Sequence, residues 1–136
     1  MRTIQSTAWQ HLSLLIMRIV IGGLFVYHGL PKVTDINRTM GMFASMGFPG
    51  FLGPLVGVVE VVAGIFLIVG ILNKWSTIAL GVIMLVALVG VQIPGALSQG
   101  SVTAGLERDL VLLIAVLISG VFGSGAYSVR TLFASK

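Results

Sequence analysis

Arg18, His28, Lys32, Glu60 and Glu107 are the side chains here that could do chemistry, because each stands inside or beside a stretch otherwise suited to hydrocarbon. An ionised group at mid-bilayer costs roughly 2.5–3.5 kcal/mol, so such groups turn toward a bundle interior or water and mark functional sites by default. Glu60 could relay a proton, and an imidazole such as His28 titrates near neutral pH. Arg18 could hold an anionic headgroup or pair with an acid. Each residue also has a plainer reading. Arg18 could snorkel to the nearer interface and Lys32 could be an interfacial anchor. Glu60 could simply pair with Arg18 or His28, and acids in a first helical turn, such as Glu107 and Asp109, suit the helix dipole in any case.

The elements that must position these groups are apolar stretches of membrane-spanning length. Four spans are expected, at about residues 12–30, 55–72, 75–93 and 106–123, in a single membrane domain covering 1–136. Pro31 should end the first span, since the residue before a proline avoids the helical region, and Pro94 should close the third. Between the first two spans, Asp35 could cap a short helix on which Ile36, Met40, Phe43 and Met46 recur at helical spacing. That pattern predicts an amphipathic helix in the interface plane. In the second span Gly57, Glu60 and Gly64 share a face, and small residues let membrane helices approach closely. Glu60 should therefore face a neighbouring helix. Met40, Met42 and Met46 read as a lipid-facing stripe rather than a cofactor box.

Depth follows from the rise per residue. His28 lies about 24 Å along its span and Glu60 about 8 Å into the returning one. Across a core of about 30 Å the two reach similar levels. Glu107 and Lys32 fall at the same boundary, and Gln92 approaches it. Arg18 sits roughly 13 Å away from the Glu60 level. A polar pocket of His28, Glu60 and Glu107 is expected in the outer half of the bundle. Glu107 and Asp109 point to opposite faces of their helix, so only one of them can line it.

Composition removes several classes of function. Of 136 residues, 57% are apolar and 9% charged, against about 25% charged in an ordinary soluble domain. The net charge of +4 comes from scattered basic residues, which excludes nucleic-acid binding and suits membrane flanks. With no cysteine the chain cannot run thiol chemistry or hold an iron–sulfur cluster, and its two histidines, His11 and His28, lie about 25 Å apart on one helix. They cannot share a haem or a metal ion within a single chain. The first apolar stretch has no small-residue cleavage site behind it and reads as a retained span. Four basic residues flank the side with both termini and three the other, which predicts cytoplasmic termini.

Arg18, Gly22-Gly23, Phe25, His28-Gly29 and Lys32 resemble the first-helix signature of the DoxX family. Met46-Gly47-Phe48-Pro49, Glu60 with Gly64, Gly70, Glu107 and the run from Gly123 to Ser128 extend the resemblance over nearly the whole chain. It implies a four-transmembrane-helix bundle in the bacterial inner membrane. Family members often read Tyr-Ser-Leu-Asp near the end, where this chain has Tyr127-Ser128-Val129-Arg130. No role of that acid carries over. The resemblance favours Glu107 over Asp109. It also points to a quinone-linked redox accessory subunit, with quinone or a reduced sulfur substrate near His28 and Glu60 and electrons arriving through a soluble or membrane partner or the quinone itself. A non-enzymatic scaffold or assembly factor and a small transporter or channel, the latter as a homo-oligomer, are the alternatives.

Overall fold

The structure, a computed structural model, describes residues 2–134. The described residues form α1 (Arg2–Thr34), α2 (Ile36–Ser45), α3 (Leu52–Val69), α4 (Asn73–Ala87), a π-helical turn (Leu88–Gln92), α5 (Ile93–Gln99), α6 (Ala104–Phe122) and α7 (Val129–Ala134), with no strand among them. Among the described residues three helical stretches are long and apolar enough to cross a membrane: Ala8–Thr34, Leu52–Val69 and Asn73–Gln99. Four were expected. Helix α6 has the length, but its first turns carry Glu107, Arg108 and Asp109.

Neither proline ends its helix. Pro31 lies inside α1, where only one turn remains, so its missing N–H forfeits a single bond. The Asp35 N–H still closes on the Pro31 carbonyl at 3.0 Å. Continuing the helix keeps Lys32 one turn beyond His28 and on the same face. At Pro94 the chain uses a different device. The π turn widens the ladder, so that the Ile93 N–H reaches the Leu88 carbonyl five residues back, and the helix runs on to Gln99. Such π bulges concentrate at functional sites.

Helices α1 and α3 cross where glycines face one another. A Cβ on Gly22 would meet the Gly64 carbonyl oxygen at 2.6 Å, and one on Gly29 would meet the Gly57 oxygen at 2.7 Å. Only glycine permits this backbone approach, and small residues drive helix association in lipid because packing replaces the hydrophobic effect there. Helices α4 and α6 run antiparallel along their length. The Asn73 amide donates to the Ser119 carbonyl at 2.9 Å at one end, Gly81 faces Val116 in the middle, and Gln92 meets Asp109 at the other. The core between the pairs is a layer of Ile21, Phe25, Ala63, Leu67, Leu80, Met84, Leu112 and Val116.

Helix α2 starts at Asp35, the cap expected for it. The Asp35 carboxylate accepts from the Arg38 N–H at 3.3 Å, and Thr39 and Phe43 lie over Gly53. At the opposite end of the bundle the C-terminal segment returns to α1. The Ala126 N–H donates to His11 Nδ1 at 3.1 Å, and the Tyr127 ring meets His11 edge-on.

Candidate functional site

A cavity of about 600 Å³ opens at the end of the bundle nearest Pro31 and Pro94. Helices α1 and α3 give it Phe25, His28, Lys32 and Glu60. The α4–π turn segment gives Met84 and Gln92, and α6 gives Arg108, Asp109 and Leu112. Helix α2 and the loop after it form a cover of Met42, Phe43, Met46 and Phe48. Volume and a mostly apolar wall with few polar groups match the usual small-molecule pocket.

Polar groups on the cavity wall are arranged as two neutralised pairs. Lys32 Nζ donates to both carboxylate oxygens of Glu60, at 2.7 Å to Oε1 and 2.6 Å to Oε2. Glu60 is 1% exposed, because the glycine crossing of α1 and α3 leaves its carboxylate no path to lipid. Opposite, Asp109 is 3% exposed. Its Oδ1 accepts from Arg108 Nε at 2.8 Å and its Oδ2 from Gln92 Nε2 at 2.9 Å. The two acids and two cations cancel, so the cavity carries no net charge when His28 is neutral. Its chemistry is that of hydrogen-bond donors and acceptors at the end of an apolar slot. A neutral molecule with an oxygen-bearing head and a greasy body suits it better than an anion.

The cover is keyed to the π turn. The Phe48 ring lies against Gly90, where an added Cβ would come 2.9 Å from Phe48 Cζ, and the Phe43 and Phe48 rings meet at a tilt of 56° with centroids 6.3 Å apart. Gly47, in the left-handed region at φ +85°, makes the reversal that returns Phe48 toward the helices.

Among the residues singled out from the sequence, the structure brings His28, Lys32 and Glu60 to this cavity. Two placements need correction. Glu107 is exposed and lies off the cavity wall, and Asp109 occupies the place expected for it. Two residues turn a helix by about 200°. The Thr103 cap, which accepts from the Leu106 N–H at 3.2 Å, fixes the phase so that Asp109 faces Gln92. Arg18 lies at the other end of the bundle. Its guanidinium is fully buried against Gly70, the left-handed cap of α3, and Nη2 donates to the Tyr127 carbonyl. The negative end of the α3 dipole draws it there. The methionines also divide: Met42 and Met46 line the cavity and Met40 does not, although Met42 keeps an exposed side as well. Arg108 and Asp109 are the functional candidates that sequence reasoning passed over. A lone polar Gln92 in an uncharged span, two residues before a proline, was the signal for that wall.

Two curated relatives align with most of the chain. "Putative oxidoreductase CatD" of Bacillus subtilis (strain 168) is 27% identical over 110 residues, covering 81% of this chain and 78% of the relative. "Inner membrane protein YqjF" of Escherichia coli (strain K12) is 28% identical over 127 residues, covering 93% and 96% respectively. No solved structure matches the chain. The sequence model of DoxX matches residues 13–93, which build every wall of the cavity except the one from α6, and on that match the chain belongs to the DoxX family.

Proposed function

We propose that this DoxX-family membrane protein is a quinone-linked redox accessory subunit, and that the cavity holds the quinone head. The observation that carries the reading is a charge-balanced polar cluster at the end of an apolar slot of about 600 Å³. A quinone is neutral, planar and amphiphilic, with carbonyl oxygens that accept hydrogen bonds. Lys32 and Gln92 present N–H donors on opposite walls, and His28 could pass a proton between a reduced quinone and the aqueous face. The chain has no cysteine, so in this reading electrons enter through a partner protein or leave on the quinone itself. One relative's name contains the word oxidoreductase, which agrees with a redox setting. Quinone should copurify after gentle extraction and be lost from Glu60→Gln. Its consistent absence at native lipid levels would overturn the assignment.

A second reading rests on the Lys32–Glu60 pair, which satisfies itself without a ligand. In it the chain is a scaffold or assembly factor, and Glu60→Gln lowers stability while removing no bound small molecule.

Apolar helices together with the inner-membrane relative support a bacterial inner-membrane location. Within it, we take α6 as a fourth span, its Asp109 neutralised inside the bundle, with both termini cytoplasmic. The cysteine-free background makes this direct to test. A membrane-impermeant maleimide applied to intact spheroplasts should label Gln99→Cys and leave Ser124→Cys unlabelled. The reverse pattern inverts the topology, and labelling of both removes α6 as a span.

A further inference from the structure

The charged cavity has two mouths of opposite chemistry. One is polar: Arg108 lines the cavity and its side chain is half exposed. The other is apolar. Val82 and Val86 of α4 line the same cavity, yet they are 56% and 50% exposed. A side chain that walls a cavity and keeps half its surface outside stands at an edge. The two valines lie one turn apart on a helix apolar enough to cross a membrane, so what meets their outer side is hydrocarbon. Their direction follows from Ala79, which lines a groove with Val59 and Val62 of α3. Ala79, Val82 and Val86 share a helix face, and that face looks toward α3.

The seam between α3 and α4 is bridged at the level of the cover, where Phe43 lies over Gly53 of α3 and Phe48 lies against Gly90 of α4. Beneath that bridge, Leu52 and Val56 of α3 line the cavity with the two valines. The mouth at Val82 and Val86 is thus a lateral window under Phe48. Along α4, Val86 lies about 9 Å and Val82 about 15 Å from the polar end at Gln92. A ring hydrogen-bonded at Gln92 or Lys32 fits within that depth, and a tail longer than that has to leave between the valines. A short water-soluble molecule needs only the mouth at Arg108 and gives the apolar one no use. We infer that the ligand of this cavity enters from the bilayer through the α3–α4 seam beneath Phe48, and that it keeps a long apolar tail in lipid past Val82 and Val86. The identity of the head rests on the quinone reading; the window does not.

The cysteine-free chain lets the window be read by spin labels. Val56→Cys places a nitroxide on the cavity wall, and Leu55→Cys places one at the same depth on the exposed side of α3. In phosphatidylcholine proteoliposomes the label at 56 should collide with oxygen at least half as often as the label at 55. It should meet the water-soluble nickel–ethylenediaminediacetate complex no more often than that label does. Val86→Trp, which adds bulk at the lip, should cut the oxygen collisions at 56 at least twofold and leave those at 55 unchanged; Val82→Trp serves should that variant fail to fold. A label at 56 sheltered from both reagents, or reached mainly by the nickel complex, overturns the inference. The tail is tested with a decaprenyl benzoquinone and its tail-free dimethoxy-methyl parent. Lipid is as apolar as the protein, so at equal mole fraction in the bilayer the two should bind alike within about twofold. Val86→Trp should weaken the decaprenyl compound at least tenfold and spare the parent. Exclusion of the tailed compound from the unaltered chain, or equal binding of both to Val86→Trp, overturns the inference while leaving the quinone reading in place. Binding of neither to the unaltered chain removes the quinone reading, and the window then stands or falls on the two labels.

Discussion

Removing Lys32 should do more harm than removing Lys32 and Glu60 together. The carboxylate of Glu60 has both oxygens on Lys32 Nζ and is 1% exposed, whereas the Lys32 side chain keeps 21% of its surface. In Lys32→Met the acid loses the only cation within hydrogen-bond reach among the described residues. Breaking a buried pair from one side typically costs about 3–5 kcal/mol. The stranded carboxylate can instead take up a proton, which for an ordinary carboxyl costs about 3.7 kcal/mol at pH 7 and about 1 kcal/mol at pH 5. That alternative sets the ceiling. The loss should therefore be about 3 kcal/mol at pH 7 and shrink by about 2 kcal/mol at pH 5. The double variant Lys32→Met/Glu60→Gln leaves no charge behind and should recover most of the loss. A double-mutant cycle of reversible unfolding in detergent micelles, followed by far-UV circular dichroism at both pH values, measures the coupling. Additive single variants, or a Lys32→Met cost that does not fall with pH, would refute the view that this pair is a buried, mutually dependent unit.

Gly64→Val should separate α1 from α3, since a Cβ there meets the Gly22 backbone oxygen at 2.8 Å and backbone cannot yield; a cost of about 3 kcal/mol or more in unfolding is expected, beyond the 1–3 kcal/mol of ordinary overpacking. Asp109→Asn should lower both stability and ligand retention, whereas Glu107→Gln should change unfolding by less than about 0.5 kcal/mol, as exposed substitutions do. Gly90→Leu should displace the Phe48 ring and loosen the cover, read as faster cleavage by a protease in the 46–51 loop at unchanged global melting.

The helices and the contact of α1 with α3 were legible because both rest on local pattern. Apolar runs give the long helices, and glycines at 57 and 64 on the face of Glu60 announce a close partner. Helix ends were less legible. Proline rules come from soluble proteins, where a broken ladder can be completed by water; in lipid the chain keeps its helix and absorbs Pro94 with a π turn. The phase of α6 could not be read either. Helical spacing alone does not choose between Glu107 and Asp109, the family resemblance favoured Glu107, and what places Asp109 on the wall is a tertiary contact to Gln92, seventeen residues away across a loop. Lys32 posed the same difficulty in reverse. As a lone cation after a proline it reads as an interfacial anchor, and only continuation of α1 through Pro31 turns it toward Glu60.

The two polar ends of the bundle are chemically unlike, and what lies between them bears on mechanism. At one end are the two neutral pairs with His28. At the other, Arg18 is spent on holding the returning C-terminal segment through the Tyr127 carbonyl. Between them the layer containing Phe25, Leu67, Leu80 and Val116 is at most 1% exposed at each of these positions, with no titratable side chain among its members. A proton crossing that layer would need water or an ionisable relay, and such packing supplies neither. Protons released or taken up in the cavity must then be exchanged on the side where His28 and Arg108 stand. In the proposed redox reading, electrons would pass laterally, to or from the quinone or a partner at the cover, and protons would return to the same face. Proteoliposomes made with the purified chain should accordingly show no proton leak above that of empty vesicles, and a leak that Glu60→Gln abolishes would turn the assignment toward a transporter.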